Sequence, residues 1–167
     1  MATKQSFTPE EWTKVLESTM VAGIAVSAAE PSGLWGTLKE FLANTSVLDA
    51  SKLNPDSNEL VKAVIADFET AEARSDIQNA LHERFADAEE PADCVRRSLA
   101  GLREVSVILD AKAPDDAAAF KAWLRGIGQK VAEASIEGGF LGFGGVQVSD
   151  AERATLGDIA KALGTSA

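Results

Sequence analysis

The chain has 167 residues, 46% of them hydrophobic and 25% charged, enough for one domain with a real core. Its net charge of −10 excludes a phosphate-reading surface and predicts no nucleic-acid partner, favouring cations or basic proteins. With a single cysteine, Cys94, no internal disulfide can form, which fits a reducing, cytoplasmic setting.

The N-terminal stretch MATKQSFTPEEW lacks the apolar run of a signal peptide. No segment reaches the roughly 18–20 uncharged apolar residues of a membrane span, so no membrane insertion is expected. Thr8-Pro9-Glu10-Glu11 predicts a helix start: a capping threonine, a proline suited to the first position, and a glutamate completing a capping box. Trp12, Leu16, Met20, Gly23, Ile24 and Ser27 follow at spacings of three and four, predicting a buried stripe that ends at Pro31 and Gly33. A second helix is expected from Leu38 to Ala43 or Leu48.

Asn54-Pro55-Asp56 predicts a turn, and Leu60, Val61, Val64, Ile65 and Phe68 mark a third helix. Ser75 is expected to cap a fourth, with Ile77, Leu81 and Phe85 along it. Glu90-Pro91 opens a fifth, striped by Val95, Leu99, Leu102, Val105 or Ser106, and Leu109. Pro114-Asp115-Asp116 begins a sixth with Phe120, Trp123, Leu124, Ile127 and Val131. The seventh is capped by Ser149 with Glu152 three residues on, turns Leu156, Ile159, Ala160 and Leu163 inward, and ends at Gly164. Alternating runs typical of strands are missing, so the expected fold is all-α: a single-domain bundle of about seven helices.

The two ends align without gaps when Glu30 is set against Glu137: Leu16 meets Trp123, Met20 meets Ile127, Ile24 meets Val131 and Ala25 meets Ala132. After each acid comes a glycine-bearing loop, then a helix start (Thr37/Glu40 and Ser149/Glu152). This order of acid, loop and capping box predicts a pseudo-twofold internal duplication. Its units span about 8–48 and 115–164, joined by helices over about 56–112.

These residues resemble the tellurite-resistance B (TerB-like) helical family, whose repeated signature is roughly A-x-A-D-G-x-V-S-x-x-E-x-x-x-L-x-x-I-A-x-x-L-G. The tail supplies Ala134-Ser135-Ile136-Glu137-Gly138, then Val148-Ser149-Asp150-Ala151-Glu152, Leu156, Ile159-Ala160 and Leu163-Gly164. The first copy supplies Ala28-Ala29-Glu30, Gly33, Thr37 and Glu40. Glutamate stands in both copies where the family's A-D-G carries aspartate. The resemblance implies one TerB-like domain over 1–167 with a stress-related, non-enzymatic role and a divalent-cation site where the two loops meet.

Glu30, Glu40, Glu137, Asp150 and Glu152 form the candidate metal set, since Ca²⁺, Mg²⁺ or Mn²⁺ wants several oxygen ligands. Glu40 and Glu152 have a competing use as capping-box glutamates, and Asp150 suits a helix N-terminus without any ligand. Leu34, Trp35, Phe140, Leu141 and Phe143, in the two loops, are candidate protein-partner contacts, giving a metal-free interaction scaffold as the alternative. A further alternative is an enzyme using paired glutamates as acid and base. Gly138–Gly145 lacks the Gly-Lys-Ser/Thr of a phosphate loop. His82 has no metal-ligating neighbour in sequence and is expected on the surface; Cys94 is expected to be a bystander thiol; the mixed charges of Asp67–Glu90 read as solvated helix surface.

Overall fold

The structure, a computed structural model, describes residues 1–29, 58–137 (side chains to 133) and 148–166. After a short 3₁₀ turn, Lys4–Ser6, come six α-helices among the described residues: α1 (Pro9–Ala29), α2 (Glu59–Phe68), α3 (Ala71–Phe85), α4 (Pro91–Lys112), α5 (Pro114–Glu137) and α6 (Asp150–Ala162). They form an all-α bundle, and no strand occurs among the described residues. The expected second helix, the turn at Asn54-Pro55-Asp56 and the stop at Pro31 and Gly33 lie outside them.

Most helix starts follow the capping chemistry of the sequence. At α1 the Thr8 hydroxyl accepts the Glu11 N–H at 3.2 Å while the Glu11 carboxylate accepts the Thr8 N–H at 2.8 Å. Asn58 caps α2 by accepting from Val61 N–H at 3.0 Å, and Pro91 occupies the first turn of α4. The expected cap at Ser75 is corrected: α3 starts a full turn earlier, where the Thr70 hydroxyl accepts from Ala73 N–H at 3.1 Å. Ser75 is exposed inside the helix, whose N-terminal cap is supplied by Thr70 instead. α6 ends in two reversed bonds, Thr165 N–H to the Ala160 carbonyl at 2.9 Å and Gly164 N–H to the Lys161 carbonyl at 3.0 Å. That closure needs the φ of +67° that Gly164 adopts.

The single stripe expected on α1 is also corrected. From Val15 to Val26 every residue except Met20 is buried, including Val15, Val21, Ala22 and Val26 off the stripe, whereas Met20 and Ser27 are half-buried. α1 is the central helix, contacting α3, α4, α5 and α6, and a helix covered on all sides carries apolar residues all round. Its buried hydroxyls are satisfied within the helix: Ser18 donates to the Val15 carbonyl at 2.6 Å and Thr19 to the Leu16 carbonyl at 2.8 Å.

Side-chain pairs fix the directions of the helices. α4 runs antiparallel to α1, with Lys112 3.7 Å from Glu11 and Lys14 3.1 Å from Glu104. The chain reverses at the buried Ala113, which Pro114 follows, so α5 starts beside the start of α1 and runs in the same direction. Further along, a Cβ at Gly128 would lie 3.5 Å from Val26 and 3.3 Å from both Leu156 and Ile159, so glycine there lets α1, α5 and α6 close on one another. α6 is antiparallel to α5, as Arg125 donates to the Ser166 carbonyl at 2.8 Å. The Ser106 hydroxyl donates to the Leu163 carbonyl at 3.1 Å, fastening the end of α6 to α4. No described helix is long and apolar enough to cross a membrane.

Candidate functional site

The helix directions put the C-terminal ends of α1 and α5 and the N-terminus of α6 at one end of the bundle. Asp150 and Glu152 open α6 there. Asp150 is exposed and lies 3.5 Å from Arg153. Glu152 is buried, its Oε2 accepting the Ser149 N–H at 2.9 Å while the Ser149 hydroxyl accepts the Glu152 N–H at 3.2 Å. The capping role weighed for Glu152 is therefore in place. Glu30, Glu40, Leu34, Trp35, Phe140, Leu141 and Phe143 lie outside the described residues, as does the side chain of Glu137. Among the described residues no group of three or more His, Cys, Asp or Glu side chains has metal-binding geometry.

A second constellation, which the sequence reading missed, lies between α1, α3 and α4. Glu17 is 3% exposed, and Arg84 reaches it from α3 with Nε 2.6 Å from Oε1 and Nη2 3.1 Å from Oε2. The pair extends to Glu104, 3.6 Å from Arg84 and 3.1 Å from Lys14. Hydrogen-bond donation to Glu17 and the charges of Glu17 and Glu104 outweigh desolvation and raise the Arg84 pKa above its ordinary value. Burial pushes Glu104 up, but the hydrogen bond to Lys14 and the charge of Arg84 prevail and hold it below its ordinary 4.5.

Arg84 and Arg97 also exchange backbone contacts: Arg97 Nη1 donates to the Arg84 carbonyl at 2.8 Å, and Arg84 Nη1 to that of Arg97 at 3.4 Å. Gly101 makes room, since a Cβ there would sit 3.0 Å from the guanidinium carbon of Arg84. Over this network opens a cleft of about 530 Å³, walled by Glu10, Thr13 and Lys14 on α1, Ala80 and Glu83 on α3, and Arg97 and Ala100 on α4.

The mixed-charge reading of Asp67–Glu90 is corrected at both of its ends. Arg84 is half-buried in the network, and Asp67 accepts the Trp12 indole N–H at 2.7 Å and Lys4 at 3.0 Å. At the same end of the bundle the buried Asp116 accepts from Asn58 Nδ2 at 2.8 Å, joining α5 to the cap of α2. His82 is exposed, as expected. Cys94 is 1% exposed, and burial raises its thiol pKa, a setting that disfavours the thiolate.

The signal that could have found the network is Glu17 itself. It is the one charge between Val15 and Val26, a span otherwise free of ionisable groups. A charge in such a stretch needs a cation from elsewhere in the fold. Comparison with family models, curated proteins and solved structures returns no match.

Proposed function

We propose that the chain is a cytoplasmic, non-enzymatic TerB-like helical domain with a stress-related binding role. Its site is an acidic divalent-cation or partner-binding surface built by Glu30, Glu40, Glu137, Asp150 and Glu152. In this reading the bundle has about seven helices and a pseudo-twofold internal duplication, the residues about 8–48 and 115–164 forming the two units. The observation that carries it is the parallel course of α1 and α5 with α6 returning antiparallel. That connectivity brings the C-terminal ends of α1 and α5 and the first turn of α6 to a common end of the bundle. Further support for duplication comes from the burial of both Ala25 and Ala132, which the alignment pairs.

Carboxylates gathered at one end repel one another, and a bound cation relieves that repulsion. A ligand that binds only the folded state stabilises it by about 2.7 kcal/mol at 100 times its dissociation constant. Melting is therefore expected to rise in millimolar Ca²⁺, Mg²⁺ or Mn²⁺ and to lose that rise in Glu30→Gln/Glu137→Gln. Melting temperatures indifferent to all three cations would sink the metal reading and favour a metal-free scaffold using Leu34, Trp35, Phe140, Leu141 and Phe143.

A further inference from the structure

We propose that α3 is a movable wall of the cleft, clasped to α1 and α4 by the Arg84 guanidinium and able to swing away while the rest of the bundle stays folded. The case begins with how little apolar surface anchors this helix. Ala73 and Ile77 are its only buried residues, with Leu81 and Phe85 half-buried, whereas α1 and α4 each bury a long apolar face. Regions with few buried apolar contacts open at a lower free energy than the core around them.

What α3 lacks in apolar contact is supplied by polar contacts near its C-terminal end. Arg84 meets both oxygens of Glu17 on α1 at 2.6 and 3.1 Å, and it exchanges carbonyl contacts with Arg97 on α4. Such a clasp is directional, holding strongly at one geometry and losing most of its hold once the partners part. Separation also returns both charges to water, which offsets much of the attraction lost. An apolar interface of equal size has no comparable compensation.

The flanking chain permits the motion. Glu69 and Thr70 alone separate α3 from α2, and residues 86–90 join it to α4. Ala80, Glu83 and Arg84 form the α3 wall of the cleft, so displacement of α3 widens it and exposes Glu17 to water. The position of α3 thus sets the aperture of the charged cleft described above.

Hydrogen exchange read by mass spectrometry on the full chain tests this. Amides of residues 71–85 are expected to exchange together, faster than those of α1, α4 and α5. Gly101→Ala is the decisive variant: its methyl would sit 3.0 Å from the guanidinium carbon, disturbing the clasp without changing any charge. Alanine also favours the α4 helix itself, so α4 is expected to exchange no faster. Exchange in 71–85 should rise about tenfold, the loss of one strong charged contact, with α5 and α6 unchanged. Arg84→Lys, which keeps the charge but not the two-pronged geometry, should act in the same direction. Exchange of α3 in step with global unfolding, or a uniform rise across all helices in both variants, overturns the proposal.

Discussion

Glu17 shows how much one side chain can demand of a fold. Both its oxygens are engaged by Arg84 in a site almost closed to water, so removing only the arginine strands a buried carboxylate. Arg84→Met is expected to cost about 3–5 kcal/mol, whereas Glu17→Leu/Arg84→Met, which removes both charges, should recover most of that loss. Urea unfolding of the two variants checks this; equal destabilisation of the single and the double would mean that the pair, rather than the stranded charge, supplies the stability. The sequence displayed Glu17 as an anomaly in an apolar run but gave no means of choosing its partner. Arg84 lies 67 residues away among alternating charges that look alike in one dimension. Asp67, which holds the Trp12 indole, was hidden in the same way.

At the level of the helix, local chemistry was far more legible. The boxes at Thr8/Glu11 and Ser149/Glu152 and the glycine stop at 164 are written within a few residues and formed as expected. The start of α3 was not legible for a physical reason. Thr70 and Ser75 are both competent caps, and the sparse apolar residues of that helix give periodicity too little to mark its first turn. Ser149→Ala should cost about 1 kcal/mol through the unsatisfied Glu152 N–H, and Glu152→Gln less, because glutamine can still accept from Ser149. Thermal melting distinguishes them; an equal loss in both would assign Glu152 a charge-dependent role beyond the cap.

For the molecule as a whole, the helical class could be read from periodicity, but the enclosure of α1 could not. A stripe says which residues avoid water and not how many neighbours surround the helix. The candidate acids were nameable because the sequence patterns around them are local. The cleft escaped notice because its walls come from three helices distant in sequence. Its chemistry has a signature in acid. The Glu104 pKa is depressed in the fold, so its contribution to stability is present above the ordinary 4.5 and lost as pH falls through the lower folded value. Stability is therefore expected to drop with acidification below about pH 4.5. Glu104→Gln should lessen the Glu104 share of that drop; denaturant midpoints measured from pH 6 downward would show parallel curves if the carboxylate were uncoupled.

The central position of α1 bears on how the protein is made. The helix that every major partner packs against is made before α4, α5 and α6, which cover it and are encoded up to residue 162. At about 5–20 residues per second, the interval between completing α1 and completing α6 is roughly 7–27 s. Until all of these partners are made, a helix suited to burial on every side is at best partly covered by its own chain. A nascent-chain population arrested before α4 is thus the state in which this protein is most open to aggregation and to chaperone capture.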